Sequence, residues 1–501
     1  MEELLKDFNA FLDRLYSYNV AASVLYWENR TDGPKGGLRT RGKAAAALST
    51  EAFKLAVSDE MKGYLDKLAE NKDKLTVNEA AKLRILKKNY DDTKNIPPAE
   101  YEEFKLHLIE AETVWEKAKN TNDYALFAPY LAKNIEFSKK FARYKDADKP
   151  LYEVLLSDYE PGLTIAELDA FFDKLRKRIV PLLKKVKESG KTIRSDFLTK
   201  PVPVEIQAKI GRKLAEMLSF DFDRGEIKEA EHPFTLQLSK YDVRITTHYH
   251  ENMFLSSVYS VLHETGHALY EQNKDDEIAE TVLDCGVSMA IHESQSRFYE
   301  NVIGRSREFW AYAWDVIKAD LGADFADVTA EEIYRAANLA KASLIRIEAD
   351  ELTYALHIMV RYEIEKALFD ENSDINVADL PRIWNEKYTE YLGVTPSNDA
   401  LGILQDTHWS GAGFGYFPSY ALGSAYAAQY LAKMNGDFDV YEAVKKGEIS
   451  KVTDWLKDKI HRHGSVKEPK ELFEAAVGGS FNADYFLDYL ENKFGEIYDL
   501  N

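Results

Sequence analysis

Thiol chemistry is almost missing from this chain. It holds one cysteine, Cys285, so no intrachain disulfide can form. No uninterrupted apolar run is long enough to span a bilayer. The first residues, Met1 to Leu12 (MEELLKDFNAFL), are acidic and amphipathic, without the basic start and apolar centre of a signal peptide. Positive charge is in deficit: 65 Lys and Arg stand against 85 Asp and Glu, a formal net charge of -20. Such a surface repels phosphate backbones and anionic membranes, so neither nucleic acid nor a membrane is expected as a partner. The expectation is a soluble cytoplasmic protein. Short repeats, low-complexity tracts and Gly/Ser linkers are missing too. With no linker, residues 1–501 are expected to form a single domain, with two lobes around a groove.

What is present is helical periodicity. Apolar residues recur at three- and four-residue spacing in Leu75–Tyr90, Tyr101–Lys119, Ile165–Val186, Val204–Leu218 and Tyr485–Tyr498. Thr164, followed three residues later by Glu167, predicts a capping box. Pro97-Pro98 and Pro161-Gly162 read as loops. One stretch differs: His232 to Thr247 (HPFTLQLSKYDVRITT) alternates like two short strands, with Ser239–Tyr241 between them. The fold class is therefore mainly α, with a small sheet just before a cluster of histidines. A sheet in that place can dock an extended peptide by strand addition.

Six of the 11 histidines fall between residues 232 and 292. Within them is His263-Glu264-Thr265-Gly266-His267. Asn252 to Gln272 reads as a helix, on which positions four apart share a face, so both imidazoles can reach one ion. Glu264 sits beside the first, angled toward a water on the metal rather than the metal itself. A hydrolytic zinc site needs an open position to activate that water and a carboxylate to take its proton. A third protein ligand is also needed. Ile278 to Tyr299 reads as another helix and offers Glu280, Asp284, His292 and Glu293, among which spacing does not choose. Cys285 is expected to be a buried, inert thiol on that helix.

Other segments carry a resemblance. Asp242-Val243-Arg244-Ile245-Thr246 looks like a DxRxT motif and His232-Pro233-Phe234 like an HPF motif. His292-Glu293-Ser294-Gln295-Ser296 resembles HESQS, Ile345 to Asp350 (IRIEAD) resembles I/VRxxAD, and Gly402 to Trp409 (GILQDTHW) resembles GxxQDxHW. In this order the chain resembles the carboxypeptidase Taq family of metallocarboxypeptidases. The resemblance implies a two-lobed helical body with a deep groove and a short sheet on its wall. It implies a homodimer, and release of single C-terminal residues from peptides with broad side-chain tolerance. It names His263, His267 and Glu293 as metal ligands and Glu264 as general base, with His292 as a neighbour. Zinc is the expected ion, with Co2+ or another divalent metal as alternatives.

A developing oxyanion needs a second stabiliser beside the metal. The expected residues are His408, Tyr420 and Tyr416, around the Gly- and aromatic-rich stretch Gly411 to Tyr420. A free C-terminal carboxylate calls for a guanidinium. Arg346, read as lying mid-helix among apolar residues, is preferred. Arg244 is the other choice; strand alternation places it with Asp242 on the face opposite Val243 and Ile245. His248, after the second strand, is expected to line the substrate groove. An endo-acting or dipeptidyl-type zinc oligopeptidase of similar helical fold is the alternative.

Overall fold

The Thr164 hydroxyl accepts from the Glu167 amide while the Glu167 carboxylate accepts from the Thr164 amide, so the helix Ile165–Glu188 begins where the capping box predicts. The computed structural model describes residues 1–500, and most of them are helical. The other periodic segments form the helices Val77–Lys94, Pro98–Thr121, Val204–Met217 and Asp484–Ile497. Pro97 and Pro98 start a helix rather than only interrupting one, because the first helical residue needs no amide donor. No described helix is long and apolar enough to cross a membrane.

The sheet has three strands, β1 (Gly225–Glu229), β2 (Thr235–Ser239) and β3 (Asp242–Thr247), in the order β1-β3-β2. β2 pairs antiparallel to β3, as the alternation predicts; β1 pairs parallel to β3 and was not expected. The β1 sequence, GEIKE, is half-exposed and has one large apolar residue, too weak a pattern to read alone. Gly225 permits the pairing, since a Cβ there would sit 2.2 Å from the Val243 carbonyl oxygen. Val243 and Ile245 of the central strand are fully buried and cluster with Val261 and Ala268 of the helix Phe254–Gln272. The sheet is thereby pressed onto the helix that carries the HETGH sequence.

Apolar packing divides into a main core and smaller satellites. The main core surrounds the helices Phe254–Gln272, Met289–Arg297, Glu351–Phe369 and Phe417–Asp437. The first helices hold their own cluster of Phe8, Phe11, Met61, Leu65, Leu68, Leu83 and Leu86. They meet the body through Ala81, Ile278 and Leu283.

The segment 278–299 is not one helix. It is helical only over Met289–Arg297 and continues as a π-helix, Phe298–Ile303. Upstream, the Asp284 carboxylate accepts from the backbone amides of Glu280 and Lys240 and holds the chain in an irregular loop, with Glu280 at φ 55°. Cys285 belongs to that loop and is exposed, contrary to the buried helical thiol expected.

Candidate metal centre

Four-residue spacing on the helix Phe254–Gln272 brings the rings of His263 and His267 to 4.9 Å between centroids. Glu293 enters from the facing helix Met289–Arg297. Its Oε2 lies 3.7 Å from His263 Nε2 and 3.4 Å from His267 Nε2. One donor atom from each residue falls within 4.8 Å of the others. Donors that share a tetrahedral ion at about 2.0–2.2 Å stand about 3.4 Å from one another. Two imidazoles and a carboxylate with this span fit a small divalent ion.

Two glycines allow the approach. A Cβ on Gly266, inside HETGH, would lie 2.6 Å from the Gln295 carbonyl oxygen and 2.7 Å from Ser296 Cα. A Cβ on Gly423, in the helix Phe417–Asp437, would lie 2.6 and 2.7 Å from Glu293 Cγ and Cβ. The three helices close on the site because these positions have no side chain.

Charge is arranged around the three donors. Burial would push the Glu293 carboxyl up, but the Arg297 guanidinium and the two imidazoles hold it well below its usual range. Arg297 donates to Glu293 Oε1 at 2.7 Å and to Glu300 Oε2 at 3.0 Å. Glu300 Oε2 in turn lies 2.8 Å from His263 Nδ1. Glu300 sits in the π-helix, a geometry often found where a functional side chain is re-aimed. Burial pushes His267 down to about 3, which leaves it an unprotonated donor for a cation. Burial lowers His263 as well, but Glu293 and Glu300 outweigh it and raise the group.

Glu264 is buried beside this set. Its Oε2 accepts from the Thr235 hydroxyl at 2.6 Å, across from the edge strand β2. Burial raises the Glu264 pKa, against the lowering effect of His263 and of Thr235.

A second cluster gathers on the Glu293 side. His408 Nε2 lies 3.3 Å from the Tyr420 hydroxyl, and the ring of Tyr420 meets that of Tyr416 at 5.0 Å. Burial, and then the nearby Glu293 charge, pushes Tyr416 up to about 12; burial, and then Tyr416, pushes Tyr420 well above the phenol range. Burial pushes His408 down to about 4, and its Nδ1 is buried without a hydrogen-bond partner.

Arg346 joins this cluster, 5.1 Å from the Tyr420 ring. It is not mid-helix. It occupies a 3-10 turn, Arg346–Glu348, ahead of the helix Glu351–Phe369, whose N-cap Asp350 accepts from the Leu352 and Thr353 amides. Its Nε donates to Asp406 Oδ1 at 2.9 Å and its NH1 to the Tyr354 hydroxyl at 3.2 Å. Arg361 takes the other Asp406 oxygen at 2.6 Å.

Arg244 and His248 stand apart from both clusters. Arg244 donates twice to Asp242, each bond 2.7 Å, and its guanidinium lies over the Trp27 ring. His248 Nδ1 lies 3.0 Å from the Ala230 carbonyl oxygen and its ring stacks edge-on against His250. Glu280 and Asp284 are outside the donor set. His292 is adjacent to it, with Nδ1 2.6 Å from His267 Nδ1.

Thr235, Arg297, Glu300, Tyr354 and Gly423 were not singled out from the sequence. For Arg297 and Glu300 a signal existed: they follow Glu293 by four and seven residues, the spacing of one helix face. For Thr235 and Gly423 there was none, because their partners lie on other elements.

Residues 7–494 match the family model described as carboxypeptidase Taq (M32) metallopeptidase. The chain is 44% identical over 494 residues to "Carboxypeptidase 1" of Bacillus subtilis (strain 168), covering 98% of each. It is 35% identical to "Thermostable carboxypeptidase 1" of Pyrococcus furiosus, again covering 98% of each. Among solved structures, the M32 carboxypeptidase from Deinococcus radiodurans R1 superposes with a TM-score of 0.96 at 32% identity, over 99% of this chain and 100% of that one.

Proposed function

The chain belongs to the carboxypeptidase Taq (M32) family and is a metallocarboxypeptidase, a peptide hydrolase that uses a divalent metal; on that premise we propose that it removes single C-terminal residues from peptides, with broad side-chain tolerance. His263, His267 and Glu293 hold the ion, zinc in this reading, and Glu264 is the general base. The observation that carries the proposal is the convergence of His263 Nε2, His267 Nε2 and Glu293 Oε2 beside a buried carboxylate. A purely structural metal site has no use for that carboxylate. When bound, the divalent ion supplies Lewis acidity toward the scissile carbonyl and makes a neighbouring water acidic.

The remaining chemistry belongs to side chains. Glu264 takes a proton from the attacking water and passes it to the leaving amine. The Thr235 hydroxyl occupies Glu264 Oε2, which leaves Oε1 to accept that proton. Tyr420, kept protonated by burial, donates toward the oxyanion, with His408 behind it and Tyr416 beside it. Arg346 receives the substrate carboxylate; the pairing with Asp406 keeps its guanidinium charged and fixed. Arg244 and His248 line the approach along the sheet. β2 is an edge strand with Thr235 next to the base, a place where an extended peptide adds by backbone pairing. The family match over residues 7–494 supports a single catalytic unit, and the family resemblance supports a homodimer; a cytoplasmic location completes the proposal.

One experiment tests the reaction. A peptide of known sequence incubated with the enzyme gives a mass-spectrometric ladder of successive one-residue C-terminal losses. A chelator stops the ladder and added Zn2+ or Co2+ restarts it, while the C-terminally amidated peptide stays intact. Internal cleavage of the amidated peptide would mark an endo-acting oligopeptidase instead. A second expectation concerns Thr235. The isosteric Thr235→Val change removes one charge-assisted hydrogen bond to the base and lowers kcat by about tenfold or more, with KM little altered. Steady-state kinetics on an N-blocked dipeptide reads both constants.

A further inference from the structure

We propose that His292, Glu271 and Lys274 form a buried positioning relay that fixes the tautomer and aim of His267 and thereby strengthens the site's hold on a divalent metal. The inference rests on the reading of His267 as a ligand through Nε2. An imidazole that turns Nε2 to a cation carries its proton on Nδ1. His267 Nδ1 lies 2.6 Å from His292 Nδ1, and two ring nitrogens at that distance share one hydrogen. His267 is then the donor and His292 Nδ1 the acceptor. With Nδ1 of His292 accepting, its ring hydrogen sits on Nε2, which lies 2.7 Å from Glu271 Oε1, an atom that can only accept. The chain of donors therefore has one consistent direction, outward from the metal.

The far end is anchored. Glu271 Oε2 is paired with the Lys274 ammonium, whose side chain is wholly buried. Lys274 also meets Asp284 Oδ1 at 2.9 Å. Asp284 is held by the Gln237 side chain on β2 at 3.0 Å and by the amides of Lys240 and Glu280. Two carboxylates against one ammonium leave the end of the relay net negative. That charge favours a proton on His292 Nε2 over one on Nδ1, and so preserves the acceptor that His267 needs. Ion groups this deeply buried are weak evidence for stability, because desolvation offsets most of their attraction. A purely structural contact would be served equally by apolar residues.

Packing holds the intermediate ring. A Cβ at Gly286 would fall 2.5 Å from His292 Cδ2 and 3.1 Å from Tyr270 Cε1, and the Tyr270 ring packs against that of His292 at 5.2 Å. The two ligand imidazoles are supported differently. His263 reaches Glu300 directly, and Arg297 and Arg305 balance that carboxylate. His267 reaches a carboxylate only through a second imidazole. His267 and Glu271 are four residues apart, so one helix face supplies the ligand and the end of its relay.

Outer partners of metal-bound histidines typically contribute 10- to 100-fold to metal affinity. The full-length Glu271→Gln enzyme should therefore bind Zn2+ about 10- to 100-fold more weakly in competition with a chromophoric chelator. With Co2+ as the probe, its visible spectrum should shift relative to the parent. The melting temperature of the metal-stripped protein is measured alongside. A merely structural role would lower that temperature and leave the affinity of the folded protein unchanged. Should Glu271→Gln alone not fold, the charge-balanced Glu271→Gln/Lys274→Met double variant takes its place, with the same loss of affinity expected. Affinity within threefold of the parent in the variant that folds overturns the relay. His267→Ala separates the two premises: if it still binds Zn2+ like the parent, the ligand reading fails. If it loses the metal while Glu271→Gln keeps it, only the relay fails.

Discussion

The Glu264→Gln enzyme is expected to bind one divalent ion per chain and to lose at least about 100-fold in kcat, up to about 10⁴-fold, the range a positioned general base contributes. Glutamine has the shape of glutamate, and its amide oxygen still accepts from Thr235, so the fold around HETGH is retained. Burial already raises the Glu264 pKa, and a neutral amide removes the cost of keeping a charge there. Stability should stay level or rise slightly. Metal content is read by elemental analysis and kcat by release of the C-terminal amino acid. Retained hydrolysis with a full complement of metal would remove Glu264 from the mechanism. Loss of metal together with activity would instead make Glu264 part of the metal's support.

A second large effect is expected from a methyl group. Gly423→Ala places a Cβ 2.6 to 2.7 Å from Glu293 Cγ and Cβ and 3.0 Å from the Glu293 carbonyl carbon. Contacts that close must be relieved. Glu293 cannot swing freely, since Arg297 and Ser296 hold its two oxygens. The relief must come from separating the helices Phe417–Asp437 and Met289–Arg297, or from displacing Glu293. Overpacking of this kind costs about 1–3 kcal/mol, and displacement of Glu293 withdraws the only carboxylate of the donor set. The expected result is a lower melting temperature and Zn2+ affinity weaker by an order of magnitude or more. Gly436→Ala on the same helix is the control. A Cβ there meets nothing within 4 Å, so the change should be neutral or stabilising by up to about 1 kcal/mol through helix propensity. Equal behaviour of the two variants would show that Gly423 does not set the position of Glu293.

The two imidazoles were legible because helix geometry is local: a spacing of four fixes a shared face whatever surrounds the helix. The same holds for the Thr164 capping box and the β2–β3 alternation, each of which needs only neighbours in the chain. The third donor was not legible in that way. Spacing left Glu280, Asp284, His292 and Glu293 open on a supposed single helix. Lys274, Gln237 and two backbone amides take Asp284 and break that helix, and no pattern within 278–299 announces them. Arg346 shows the same limit. Its apolar neighbours suggested a helix interior, whereas Asp350 caps the helix after it and Asp406, sixty residues on, holds its guanidinium.

β1 was missed because its pairing belongs to β3 and its own residues are charged and half-exposed. Gly266 and Gly423 carry no signal at all in one sequence, since what a missing side chain permits depends on what would have met it. The sequence by itself therefore determined the helical class, the HETGH face and the motifs that mark the family. The family resemblance named Glu293, where spacing left four candidates open; the tertiary structure alone brings its carboxylate to those histidines, and only it decided what supports each imidazole and where the arginines are held. The physical reason is range: dihedral preferences and side-chain periodicity act over a few residues, while buried charges take partners from anywhere in the chain, and burial makes those partners obligatory.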